Sequence, residues 1–402
     1  MGEPQAVEQQ GKTSSKIKLG TVLLIIGIIF IGANLRAPLT SVGPLVPVIR
    51  DNLGISNAAA GTLTTVPLLA FALLSPFAPR LSRRFGVELT LFVSLIALTA
   101  GIVLRSSGGV GVLFAGTVLL GLAIAIGNVL MPGLIKQHFA QRIGVMTGVY
   151  AVSMNLCGAV ASGLSVPLAM SAGFGWTGAL GIWAVLSLSA VLFWLPQLGR
   201  QKKAAGAAGK SQSTRLWRSR LAWQVTLFMG LQSLIFYTVI AWLPDILQQK
   251  GLDAESAGWM LSFMQFAILP FTFIVPVLAG RMQSQRGMAA VTAALFIAGL
   301  AGILSGGSLL LPLWILMIGI AAGSAFSLCM MFFSLRTQST QEAAELSGMA
   351  QSFGYLLAAV GPVLFGWLHD VTHGWTIPLL MLIAASALIF VLGLSVGKKK
   401  FV

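Results

Sequence analysis

The 402-residue chain is 56% apolar and only 9% charged, with a mean hydropathy of +0.90, which excludes a soluble globular protein. The net charge of +15 could suit a nucleic-acid binder, but the Lys and Arg residues gather in the termini and alternate loops. Only Arg50, Arg105 and Lys250 fall on the other side, with Arg36 inside an apolar run, and this is the positive-inside bias of a polytopic membrane protein.

Residues 1–18, with Lys12, Lys16 and Lys18, read as a disordered cytoplasmic tail. The apolar run that follows is too long for a cleaved signal peptide. Spanning a ~30 Å hydrocarbon core takes ~20 apolar residues. Runs of that kind lie at 19–49, 57–79, 87–105, 110–136, 142–168 and 174–196, and again at 219–248, 256–280, 288–306, 310–335, 345–368 and 374–396. None shows the ~10-residue alternating segments of a membrane β-barrel. The spacing predicts an all-α membrane protein of twelve transmembrane helices in two pseudo-symmetric six-helix bundles, 19–196 and 219–396. Residues 197–218, rich in Lys and Arg among Gly, Ala, Ser and Gln, read as a flexible basic cytoplasmic linker. Lys398, Lys399 and Lys400 place the tail 397–402 on the same side, so both termini are expected in the cytoplasm.

The two halves echo each other. Pro47, Gly54 and Gly61 recur at one common offset as Pro244, Gly251 and Gly258, which pairs Ile55 with Leu252 and Ala60 with Ala257. Arg80 and Gly86 recur as Arg281 and Gly287, and Gly148 as Gly348. A parallel repeat of this kind binds its substrate between the halves near the midplane. At the offset of Pro47 and Pro244, Arg36 falls on Ser233, so the charge belongs to one half only.

Three stretches carry a resemblance. Asn34-Leu35-Arg36 with Thr40-Ser41-Val42-Gly43-Pro44-Leu45 is the first. Gly127-Asn128-Val129-Leu130 with Pro132 and Met146-Thr147-Gly148-Val149-Tyr150 is the second. The third is Leu346-Ser347-Gly348-Met349-Ala350-Gln351 with Gly354-Tyr355-Leu356 and Gly361-Pro362. Together they resemble the CynX/NimT family of the major facilitator superfamily over essentially the whole chain. The resemblance implies the major facilitator fold and a small polar or anionic organic solute, since members are linked to cyanate and 2-nitroimidazole. One departure stands out. The superfamily usually carries Gly-x-x-x-Asp-Arg-x-Gly between its second and third helices, and here Pro79 and Arg83 occupy the first Gly and the Asp positions. In the second half Gly280 survives, but Ser284 stands in place of the Asp.

Arg36 is the leading candidate for substrate binding. Its guanidinium offers a planar donor fork suited to carboxylate-like groups. All ten Asp and Glu lie in tails, loops or span ends, so no buried acid is expected to neutralise it. An unpaired buried cation is costly, and a bound anion is a natural partner; pairing with backbone carbonyls is the structural alternative. Pro38, Pro44 and Pro47 lack N–H groups and free the carbonyls of Asn34, Thr40 and Gly43 around it. Thr40 shares the face of Arg36 at i+4. Asn34 completes this local set, although at about 100° per residue it faces nearly the opposite way, which favours a packing role. Gln351 and Tyr355 form an i, i+4 pair, and Asn155 is the repeat counterpart of Tyr355. Asn128, Tyr150 and Gln265 add further donors; for each of these the alternative is interhelical hydrogen bonding. Lys136, His138 and Arg336 lie at span ends, where they serve either as topology flanks or as a cytoplasmic gate. His369 and His373 straddle a loop, and neither they nor Cys157 and Cys329 form a metal site.

No nucleotide-binding pattern, cofactor site or catalytic set at membrane depth is present, so an enzyme is not expected. The expected function is a secondary active transporter in the inner (cytoplasmic) membrane, moving a small anionic or strongly polar organic solute by alternating access. It is expected to act as a monomer with the lipid bilayer and its solute as partners. Export of neutral drug-like compounds such as nitroimidazoles is the alternative, and a channel or receptor a more distant one. Proton-driven carriers usually titrate a buried Asp, Glu or His, and without one no single carboxylate is expected to be needed for solute binding.

Overall fold

In lipid every backbone polar group must be satisfied within the chain, so long apolar runs resolve into helices. The computed structural model describes residues 3–199, 213–305 and 310–402; most of the expected linker, residues 200–212, lies outside the described residues. The first half contains α1 (Glu3–Thr40), α2 (Val46–Leu53), α3 (Asn57–Leu74), α4 (Ala78–Phe85), α5 (Val87–Arg105), α6 (Val110–His138), α7 (Ile143–Val166), α8 (Gly175–Gly181) and α9 (Trp183–Leu198). After α10 (Ser213–Arg218), the second half contains α11 (Arg220–Gln249), α12 (Ala254–Arg281), α13 (Arg286–Leu304), α14 (Leu311–Leu335), α15 (Thr340–Thr372) and α16 (Thr376–Val396). Among the described residues eleven helices are long and apolar enough to cross a membrane. The pair Thr62–Leu74 and Ala78–Phe85, bent by 55°, makes twelve when counted as one broken span. Helix α1 already runs through the stretch read as a disordered tail, because a helix nucleated by an apolar span extends cheaply into its flank.

The duplication is visible in the packing. In the first bundle α1 packs on α7 and α9, α3 on α6, and α5 on α6 and α9. In the second, α11 packs on α15 and α16, α12 on α14, and α13 on α14 and α16, which repeats the same pattern. The repeated loop is built alike in both. Gly54 and Gly251 take left-handed φ values of 62° and 94°, where a side chain would be strained. Two residues on, Ser56 accepts from the backbone N–H of Ala59, and Asp253 accepts from that of Ser256, capping α3 and α12.

Across the bundles α3 and α6 meet α15, and α7 meets α12. The helix ends at Phe85, His138, Arg281 and Leu335 share one face, called here the basic face, with the starts of α7 and α15. The seam lies between the midplane and this face. Ser352 Oγ donates to the Ala72 carbonyl at 2.7 Å, and Ser334 Oγ to that of Pro132 at 3.2 Å. Gly144 lies against the Pro276 carbonyl, and a Cβ at Gly348 would come within 2.7 Å of the Ser75 carbonyl. Small residues are what let helices approach this closely in a membrane.

Candidate functional site

The helix that carries Arg36 breaks about one turn later. Helix α1 ends at Thr40, and Gly43–Leu45 forms a single 3-10 turn before α2. Three side-chain hydrogen bonds to neighbouring helices pin this break. Thr40 Oγ1 donates to the Gly158 carbonyl on α7 at 2.7 Å, Ser165 Oγ to the Ser41 carbonyl at 2.8 Å, and an Arg105 guanidinium nitrogen to the Pro38 carbonyl at 2.7 Å. Gly158 leaves room for the Arg36 stem, since a Cβ there would sit 2.5 Å from Arg36 Cγ.

The guanidinium of Arg36 reaches the space between the bundles, where its carbon lies 5.3 Å from the ring centroid of Phe236 on α11. A cavity with about 400 Å³ of unfilled space opens there. The first bundle supplies Arg36, Met154 and Asn155. The second supplies Gln232, Ser233, Phe236, Tyr237, Ile268, Thr272, Ala322, Phe326 and Tyr355. A second space of about 320 Å³ adjoins it and shares Arg36, Met154, Tyr237, Phe326 and Tyr355, adding Phe71, Asn128 and Gln351 among others. Among the described residues no carboxylate lines either space. The chain has three tyrosines, and all of them lie here: Tyr237 and Tyr355 line both spaces, and Tyr150 donates to Asn128 Oδ1 at 3.2 Å. Gln351 Nε2 donates to the Asn128 carbonyl at 3.0 Å and to Ser347 Oγ at 2.8 Å, joining the bundles under the cavity.

The expected set therefore divides. Arg36, Asn155 and Tyr355 line the main cavity, and Asn128 and Gln351 the adjoining one, with Tyr150 behind Asn128. Thr40 bonds the Gly158 and Arg36 carbonyls and lines neither space. Asn34 is fully buried and turned away, donating to the carbonyls of Phe30 at 2.8 Å and Leu186 at 3.2 Å, as the helical angle required. Gln265 is exposed and outside both spaces; Ile268 and Thr272, farther along α12, face the cavity instead. Ser233, the repeat counterpart of Arg36, lines the same cavity, so the two equivalent positions share one space. That signal was present in the repeat. Phe236, Tyr237 and Phe326 carried none, because an aromatic residue in a span serves equally well facing lipid.

The span-end cations differ in role. Lys136 Nζ crosses from α6 to the second bundle, donating to the Ser334 carbonyl and to Thr337 Oγ1, each at 2.9 Å, and to the Thr337 carbonyl. Arg336 is 2% exposed and stays within the second bundle, bonding the Val396 carbonyl at 2.6 Å and Gln285 Oε1. Burial lowers its pKa to about 10, so it remains charged at neutral pH. His138 is exposed at the end of α6. Arg83, standing where the superfamily pattern has Asp, pairs with Glu345 on α15, whose side chain is only 8% exposed. This ion pair joins α4 to α15 across the bundles. Arg105 also departs from expectation. It is fully buried at the end of α5 rather than a surface flank, so Arg36 is not the lone interior cation.

The Major Facilitator Superfamily model matches residues 22–362. The chain is 50% identical to the uncharacterized transporter YycB of Bacillus subtilis (strain 168), over 96% of each chain. It is 42% identical to the 2-nitroimidazole transporter of Escherichia coli (strain K12), covering 94% of this chain and 96% of that one. To the cyanate transport protein CynX of the same organism it is 26% identical, covering 88% and 91%. The crystal structure of the E. coli fucose:proton symporter FucP superposes with a TM-score of 0.75 at 12% identity, covering 94% of this chain and 99% of that one, and shows the shared fold. A membrane-spanning chain with these repeats, this cleft and these relatives is a transporter and not an enzyme: it belongs to the major facilitator superfamily and, within it, to the CynX/NimT family.

Proposed function

We propose that the protein is a secondary transporter for a small, anionic or strongly polar organic solute, held in the cleft by Arg36. The observation that carries this reading is the Arg36 guanidinium placed over Phe236 in a cavity with no lining carboxylate. A guanidinium that is partly desolvated and unmatched by an acid binds an anion with little competition. Asn155, Gln232, Ser233, Thr272, Tyr237 and Tyr355 supply neutral donors and acceptors, and Phe236 and Phe326 supply flat apolar walls. This combination suits a small planar solute with one polar end.

Alternating access is supported by the seam below the cavity. Lys136 with Ser334 and Thr337, Arg83 with Glu345, and Gln351 with Asn128 each join the bundles on the basic-face side. Positive-inside bias makes that face cytoplasmic. The arrangement is then closed to the cytoplasm, and transport requires these bonds to break while others form on the opposite face. Moving one anion inward against about 100 mV costs about 2.3 kcal/mol, so an uncoupled carrier favours export. Net uptake needs exchange or a proton carried on the solute.

A second reading, export of neutral compounds such as nitroimidazoles, is favoured by the aromatic lining and by the 42% identity to a 2-nitroimidazole transporter. Transport of cyanate, nitrate, small carboxylates and nitroimidazoles into proteoliposomes separates the two. The proposal expects anion movement that falls sharply in Arg36→Ala and is partly kept in Arg36→Lys. A neutral solute moving equally in all three proteins would leave only the second reading.

A further inference from the structure

Arg105, fully buried like Arg336, has no part in the cavity. Its side chain is fully buried, one guanidinium nitrogen donates to the Pro38 carbonyl at 2.7 Å, and its Nε and other terminal nitrogen have no partner among the described residues. Buried polar groups are normally satisfied, and a charge left this way costs several kcal/mol. Its place is nonetheless built with care. A Cβ at Gly116 on α6 would come within 2.6 Å of Arg105 Cα, so the glycine lets α6 press the end of α5 inward against α1.

The carbonyl it meets is the one released where α1 stops. An unbroken helix would give the Pro38 carbonyl the N–H of Val42, but Thr40 is the last helical residue. Ser41 Oγ approaches that carbonyl at 3.2 Å, and Arg105 takes the remaining lone pair with a shorter, charge-assisted bond. Pro38 is two residues from Arg36. Fixing its peptide fixes the direction from which the Arg36 stem leaves the helix.

We infer that Arg105 is a positioning residue for the solute site: it holds the break in α1 so that Arg36 projects over the cavity. The inference rests on Arg36 anchoring the solute, and the experiment keeps the two apart. Arg105→Met and Arg105→Lys are compared in the wild-type and Arg36→Lys backgrounds, with benzoate binding measured by calorimetry on purified protein. Hydrogen exchange of the backbone at 38–46 is followed without any solute. Arg105→Met is expected to weaken benzoate binding about tenfold in wild type, the loss of one charged hydrogen bond, and much less when Arg36 is already Lys. Arg105→Lys keeps one donor and restores most of the affinity. Exchange at 38–46 quickens in Arg105→Met while that of α13 and α14 stays put. If benzoate does not bind the wild type, the anion reading suffers and the exchange result alone decides the role of Arg105. Unchanged exchange at 38–46, or an equal affinity loss in both backgrounds, overturns the positioning role and leaves Arg105 as part of the general packing.

Discussion

The guanidinium carbon of Arg36 stands 5.3 Å from the ring centroid of Phe236, so a charge that lines the cavity lies against an aromatic wall of the opposite bundle. This contact ties the solute site to the relation between the bundles. Replacing the ring with Leu keeps the volume roughly but removes the π face, which costs about 0.5–2 kcal/mol for a partly desolvated cation–π pair. Phe236→Leu should therefore weaken solute binding by roughly fivefold, read by calorimetry, with the thermal midpoint little changed. An affinity equal to wild type would show that the contact orients nothing.

Gly158 gives a second handle on Arg36. A Cβ there would meet Arg36 Cγ at 2.5 Å, whereas one at Gly163 on the same helix meets nothing within 4 Å. Gly158→Ala should displace the arginine and lower affinity about tenfold or more, because small misplacements of a binding group are expensive. Gly163→Ala should bind as wild type. Equal behaviour of the two variants in a binding titration would mean that the stem of Arg36 is free to move aside.

The Arg83–Glu345 ion pair offers a test of the seam. Arg83→Glu sets two acids against each other beside the buried carboxylate of Glu345, and Glu345→Arg sets two cations together. Each should shift the protein away from the arrangement closed on the basic face, measured as labelling of a cysteine introduced at Ala344, which is buried at the seam against Gly133 of α6. The double exchange Arg83→Glu with Glu345→Arg should recover most of the protection, with a coupling of about 0.5–3 kcal/mol. Labelling that simply adds across the two single variants would place the pair outside the gate.

At Gly144, any added carbon collides with the Pro276 carbonyl of the other bundle. Gly144→Val should force α7 from α12 and open the same cysteine to labelling, while transport slows because the closed arrangement is no longer reached. Wild-type labelling and transport in that variant would show that α7 and α12 do not carry the seam.

Much of the fold was legible because hydrocarbon leaves a chain few options: length, apolarity and basic loops predict the spans, and the Pro47–Gly54 repeat predicts the pairing of halves. The site was legible only where a residue type is rare at depth. Arg36, Asn128, Asn155, Gln351 and Tyr355 stand out for that reason and converge on the cleft. Gln265 fails because polarity alone does not say which side of α12 it occupies, and it lies exposed. Arg105 was hidden by its position at a span end, where a surface cation is the ordinary outcome; only the close approach at Gly116 buries it. The role of Arg83 was not legible, because its partner, Glu345, is remote in sequence.

The central claim is that Arg36 selects for negative charge. The most direct measurement compares benzoate with benzamide, which differ little in shape, for binding to the wild type and to Arg36→Ala. The wild type should prefer benzoate by at least about tenfold, the scale of a charge-assisted hydrogen-bonded pair, and Arg36→Ala should bind the two alike. A preference for benzoate that survives in Arg36→Ala, or a wild type indifferent to the charge, would contradict it.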